Sequence, residues 1–107
     1  MIKVTFYYSK DGAPTGFNFK GHSGYSSTGS DIVCAAVSSV AYMTANTIIE
    51  VMGIPAEADV DENGEMTLKV PEESATKTKD ILSGLELHLK ELSRQYPKNV
   101  TITTTEV

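Results

Sequence analysis

The stretch IKVTFYYSKDGAPTGFNFK, Ile2–Lys20, sets the architecture from which the rest of the chain is read. Ile2 to Tyr8 is rich in β-branched and aromatic residues and reads as a strand. Asp11-Gly12-Ala13-Pro14 supplies turn chemistry, because Asp bonds its own backbone and Gly takes positive φ without a steric cost. Thr15 to Lys20 then places Phe17 and Phe19 on one side of a second strand by the two-residue period. The chain opens with a hairpin.

Beyond it, GHSGYSSTGS (Gly21–Ser30) has three glycines, four serines and one threonine, the composition of a surface loop. Asp31 opens the next element. Val33, Val37, Val40, Thr44, Ile48 and Val51 recur at steps of three or four, which predicts a helix with Ser30 or Asp31 as N-cap. Gly53 follows the last periodic residue, where a left-handed C-terminal turn forms readily. Ala56 to Val60 and Glu65 to Val70 read as a second hairpin around Asp61-Glu62-Asn63-Gly64. Pro71-Glu72-Glu73-Ser74 opens a second helix, acidic at its positive end. Its apolar stripe is Ile81, Leu82, Leu85, Leu89, Leu92 and Tyr96, and Pro97 stops it before a last strand over Asn99 to Thr105.

The order is ββαββαβ. The fold class predicted is α+β: a five-stranded, mostly antiparallel or mixed sheet with both helices packed on one face, which buries both stripes at once. At 107 residues, with 40% hydrophobic and 21% charged residues, the chain reads as a single domain over 1–107. The N-terminus has no basic region leading into an apolar run, and Ile32 to Met43 is short of the ~20 residues of a bilayer span. These features predict a soluble, cytoplasmic protein that does not engage a membrane. A formal charge of −5 disfavours direct nucleic-acid binding and suits a basic protein partner. One cysteine excludes an internal disulfide, and two histidines outside HExxH spacing speak against a metal site, so no metal and no cofactor is expected.

The single thiol, Cys34, falls in the first turn of the predicted helix, at its third position if Asp31 is the cap. First-turn N–H groups lack intrahelical partners and carry the positive end of the macrodipole, a setting that favours thiolate and can hold an oxyanion. His22 lies twelve positions earlier, and the intervening loop is long enough to bring its imidazole to the sulfur as general base and acid. The residues alone leave Cys34 open between this and a packed, inert thiol. Asp31 reads as an N-cap or as a partner of His22, and Ser38, one turn after Cys34, as a packing serine or a group beside the sulfur. Gly21, Gly24 and Gly29 let the chain turn, or residues 23–30 form a flap with Tyr25 at its centre. His88, between charged Glu86 and Lys90, reads as a solvated helix position.

Gly21-His22-Ser23-Gly24 followed by Asp31-Ile32-Val33-Cys34-Ala35-Ala36-Val37-Ser38 resembles the ribosomal-processing cysteine protease family, Prp, and the likeness extends over essentially the whole chain. The resemblance implies a small cytoplasmic endopeptidase, acting as a homodimer, that removes a short N-terminal extension from a protein of the large ribosomal subunit. It implies Cys34 as nucleophile and His22 as general base and acid, a dyad with no evident third member. Gly21, Gly24, Tyr25, Asp31 and Ser38 become supporting or substrate-binding positions, with the loop covering a peptide whose cleaved side ends in large apolar or aromatic residues. Two other classes of function stand beside it. One is a non-catalytic ribosome-associated binding module with Cys34 buried, and the other is a thiol redox sensor.

Overall fold

The computed structural model describes the backbone over residues 1–21 and 28–107, and the side chains over the same residues apart from 28–31. Strand β1 is Ile2–Tyr8 and β2 is Pro14–Lys20, joined through Gly12, whose N–H donates to the Ser9 carbonyl. Helix α1 runs Thr28–Asn46 and continues into a π-helical turn, Thr47–Val51. Strands β3 (Glu57–Val60) and β4 (Met66–Lys69) form the second hairpin. A 3-10 turn at Glu72–Ser74 leads into helix α2, Ala75–Gln95, and β5 is Val100–Glu106. The order ββαββαβ is as the sequence predicts.

The five strands form one mixed sheet in the order β3-β4-β2-β1-β5, in which β1 and β5 are parallel and the remaining pairs antiparallel. Alternation decides which side is covered. Ile2, Val4 and Phe6 of β1, Phe17 and Phe19 of β2, Met66 and Leu68 of β4 and Val100 of β5 are buried. They meet Val33, Val37, Ala41 and Ile48 from the first helical element and Leu82, Leu85 and Leu89 from α2 in one cluster. Phe6 and Phe17 sit directly opposite in the β1–β2 register and pack edge to face at 6.4 Å between centroids, a favoured aromatic geometry. The β4–β2 register pairs Met66 with Phe19, so the β3–β4 turn lies beside the end of β2, where the chain exits at Gly21.

Three expectations are corrected. The loop expected over Gly21–Ser30 ends by Thr28, where α1 begins, ahead of both Ser30 and Asp31. Weak helix formers such as Thr, Gly and Ser are carried into a helix when the segment beyond them packs well. Val51, expected on the buried stripe, is 80% exposed. The π-helical turn, closed by the Met52 N–H on the Thr47 carbonyl, widens the spiral and rotates Val51 off the core face; Ile54 takes the buried place. Finally, Ile32–Val51 is 20 residues with mean hydropathy 1.7, long and apolar enough to cross a bilayer. In this fold one face of it is bedded in the core through Val33, Val37, Ala41 and Ile48.

Among the described residues one charged side chain is buried. Glu86 of α2 is 6% exposed, with the Tyr8 hydroxyl donating to its Oε1 and Lys90 Nζ 3.0 Å from its Oε2. Both carboxylate oxygens are satisfied, which is the condition for a buried charge to be tolerated. Burial, and then the hydrogen bond and charge of Glu86, push the Tyr8 phenol up to about 12.

Candidate active site

Cys34 is partly exposed and packs against the edge of the core. The thiol is therefore not entombed. Nor does the thiol sit in the first helical turn. Counting from Thr28, Cys34 is the seventh residue of α1, about 9 Å along the axis from its start at ~1.5 Å per residue. Orphan N–H groups and the dipole's effect are confined to the first turn, so the helix-terminus argument does not reach the sulfur.

What places Cys34 is the meeting of three elements. It lines a cleft of about 200 Å³ together with Val37, Ser38, Ala41 and Tyr42 from α1. The sheet contributes Ile2 from β1, Phe19 and Gly21 at the end of β2, and Met66 of β4; the β3–β4 turn contributes Asn63 and Gly64. The floor is apolar: Ile2, Phe19, Val37, Ala41 and Met66 are each 6% exposed or less. Its polar side chains, Cys34, Ser38 and Tyr42 on one wall and Asn63 on the other, surround that floor. The volume lies below the ~300 Å³ at which cofactor and ligand pockets begin, so the cleft suits a single large side chain with main chain passing over it.

Gly21 is fixed in this wall by sterics. Its φ is +83°, and a Cβ built on it would lie 2.6 Å from the Met1 carbonyl oxygen. Only glycine combines that conformation with that approach.

Of the residues singled out in the sequence, the structure brings Gly21, Cys34 and Ser38 into one cleft. Asp31 belongs to α1, but its side chain lies outside the described residues, as do His22, Gly24 and Tyr25. The loop expectation for residues 23–30 is altered at its end, since residues 28–30 are helical. His88 is exposed, as expected of a solvated position. Asn63 and Tyr42 were not expected in the site. Asn63 was read only as turn chemistry; its proximity follows from the pairing of β4 with β2, which the local pattern does not encode.

A larger cavity, about 590 Å³, opens at the opposite end of the sheet between Tyr7, Lys10, Thr15, Lys69 and Glu72. Among the described residues it is lined by neither cysteine nor histidine, so size and the thiol point to different places, and the thiol is the group able to attack a carbonyl. Among the described residues, no three His, Cys, Asp or Glu side chains are grouped as metal ligands.

Comparison with known proteins shows the family and the fold. The ribosomal processing cysteine protease Prp of Bacillus subtilis (strain 168) is 28% identical over 109 residues, covering 97% of each chain. That of Staphylococcus aureus (strain Mu50) is 25% identical, covering 95% of this chain and 97% of the relative. The crystal structure of SMU.848 from Streptococcus mutans superposes with a TM-score of 0.87 at 26% identity, covering 100% of this chain and 96% of that one. The essential ribosomal processing protease Prp from S. aureus, solved with a substrate peptide, shares the fold at a TM-score of 0.88 and 23% identity, over 98% of this chain and 100% of that one. A family model described as Cysteine protease Prp matches residues 1–101, and the chain belongs to the Prp family of cysteine proteases.

Proposed function

We propose that this protease removes the N-terminal extension of a large-subunit ribosomal protein precursor, using Cys34 as nucleophile and His22 as general base and acid. The observation that carries the reading is the partly exposed Cys34 in the wall of an apolar-floored cleft that also contains Gly21, the residue covalently preceding His22. The names of the B. subtilis and S. aureus relatives support ribosomal processing. The S. aureus structure with a substrate peptide supports a peptide as occupant. The buried Ile2, Phe19, Val37 and Met66 on the floor support a cut beside large apolar or aromatic residues, whose burial contributes roughly 1.5–3 kcal/mol each.

In the reaction, His22 takes the Cys34 proton and the sulfur adds to the scissile carbonyl carbon. Collapse of the tetrahedral species breaks the C–N bond as His22 returns the proton to the leaving amine. Water, deprotonated by His22, then adds to the thioester, and the thiol is regenerated with release of the carboxylate. Gly21, by fixing where β2 ends, sets the starting point of the segment bearing His22, while Gly24, Tyr25, Asp31 and Ser38 are supporting or substrate-binding positions. The protein acts in the cytoplasm as a homodimer, without metal, cofactor, nucleic acid or membrane. The formal charge of −5 supports attraction of a basic ribosomal protein.

The test is mass spectrometry of the precursor's N-terminal peptide after incubation with wild type, Cys34→Ala and His22→Ala. Cleavage at one bond by wild type and none by either variant is expected. Cleavage at the wild-type rate by either variant refutes the dyad.

A further inference from the structure

The cleft has two walls of different origin, and the mechanism uses only one of them. Cys34, Ser38 and Tyr42 come from α1; across the cleft, the β3–β4 turn contributes Asn63 and Gly64. Among the described residues Asn63 is the one cleft-lining polar side chain that does not come from α1, and its carboxamide makes no hydrogen bond there.

The turn is built to fix the main chain that carries that carboxamide. Asp61 Oδ1 accepts from the Asn63 N–H at 2.8 Å and from the Glu65 N–H at 2.9 Å. The Asp61 carbonyl accepts from the Gly64 N–H at 3.0 Å, and the Asp61 N–H donates to the Glu65 carbonyl at 3.0 Å. Gly64 takes φ +84°, the left-handed position that closes such a hairpin loop. On the far side of the turn, Asn18 Nδ2 donates to Glu65 Oε2 at 2.9 Å, which ties the turn to β2. The N–H groups of Asp61, Asn63, Gly64 and Glu65 are thus committed internally, and the Asn63 side chain is left to bond elsewhere.

We propose that Asn63 is a substrate-binding residue whose carboxamide hydrogen-bonds the main chain of the bound peptide opposite Cys34, and that Asp61 is the positioning residue that presents it. This rests on the reading of the cleft as the peptide site. An extended peptide whose side chain enters the apolar floor brings its own N–H and C=O groups out of water, and each needs a partner. The floor supplies none through Ile2, Phe19, Val37, Ala41 and Met66. A carboxamide donates and accepts, so it matches a peptide group in either sense and reads no side chain. Asn63 accordingly holds register, and the floor selects the residue.

The experiment uses fluorescence anisotropy of a labelled precursor N-terminal peptide with the full-length Cys34→Ala protein, alongside steady-state cleavage by Asn63→Ala and Asp61→Ala with Cys34 intact. Adding Asn63→Ala to Cys34→Ala weakens peptide binding by roughly two- to tenfold, the range for one neutral hydrogen bond. In cleavage, KM rises by that factor with kcat unchanged, the signature of an interaction present equally in ground and transition states. Asp61→Ala gives a loss of the same kind, and combining it with Asn63→Ala adds nothing further, because both remove one contact. Equal affinity with and without Asn63, or a fall in kcat at constant KM, overturns the proposal. Additive losses overturn the role of Asp61. If wild type fails to cleave a peptide that Cys34→Ala binds through Asn63, the proteolytic dyad fails and the Asn63 contact stands; absence of any peptide binding to Cys34→Ala overturns both.

Discussion

Gly12 and Gly21 offer a matched pair for testing whether the end of β2 sets the active site. Both have φ +83°, but a Cβ on Gly12 meets nothing within 4 Å, whereas on Gly21 it lies 2.6 Å from the Met1 carbonyl oxygen. An L-residue in the left-handed region costs ~1–2 kcal/mol, offset by ~0.4–1 kcal/mol from the reduced freedom of the unfolded chain. Gly12→Ala is therefore expected to destabilise by at most about 1.6 kcal/mol. Gly21→Ala carries the same backbone cost, and the Met1 carbonyl must also retreat by roughly 0.8 Å to reach ordinary contact at 3.4 Å. Overpacking of that kind adds ~1–3 kcal/mol. At ~4–8 °C per kcal/mol for a domain near this size, Gly21→Ala lowers Tm well beyond Gly12→Ala.

Activity separates the two further. Gly12 lies in the β1–β2 turn, at the other end of the strands from the cleft, while Gly21 lines the cleft and is bonded to His22. A displacement of ~1 Å in a catalytic arrangement costs up to ~10²-fold. The kcat/KM of Gly21→Ala on the precursor peptide should drop by ~10–100-fold, measured well below its Tm, and that of Gly12→Ala should stay within about twofold. Indistinguishable Tm and kcat/KM for the two variants would refute the steric argument, because the Met1 carbonyl is the one difference between the sites invoked here.

Two other outcomes follow from the packing. The Tyr8 phenol, held up near 12 by burial and then by Glu86, gives a folded state that keeps its proton where the unfolded chain, at ~10, releases it. Stability from this group is complete below pH ~10 and is lost between ~10 and ~12; Tyr8→Phe removes this dependence and deletes the tyrosinate absorbance that develops near pH 12 in the folded protein. Leu82→Ala, at a fully buried position in the α2 stripe, costs ~2–5 kcal/mol in urea unfolding, whereas Leu87→Ala, at 69% exposure, stays within ~0.5 kcal/mol.

The two hairpins, the α2 stripe and the final strand are legible because each is a local pattern: period two at Phe17 and Phe19, period near 3.6 at Leu82, Leu85 and Leu89. What escaped the pattern was decided by non-local or weak terms. Thr28–Ser30 carries little intrinsic preference, so the start of α1 depends on context. Glu86 occupies a core-facing position beside Leu82 and Leu89, yet its burial requires Tyr8, 78 positions earlier, to satisfy it. Cys34 and Ser38 are legible as chemistry on one helix face, but α1 starts at Thr28 rather than beside Asp31, which takes the sulfur out of the first-turn field.

The consequence concerns how the cleft is assembled. A thiol held by a helix terminus would need only α1; a thiol in the second turn needs the rest of its environment from elsewhere. That environment is supplied by strand pairing. The antiparallel register that sets Met66 against Phe19 delivers the Asp61–Gly64 turn and the Gly21 exit to the same end of the sheet, on either side of the apolar floor. Because β4 is joined to β2 by main-chain bonds and to the core by Leu68, the opposing wall is anchored to the sheet rather than to α1. If Cys34 is the nucleophile and Asn63 the peptide contact, recognition and chemistry stand on separate elements, so substitutions in the turn are expected to change KM and substitutions at Cys34 the chemical step.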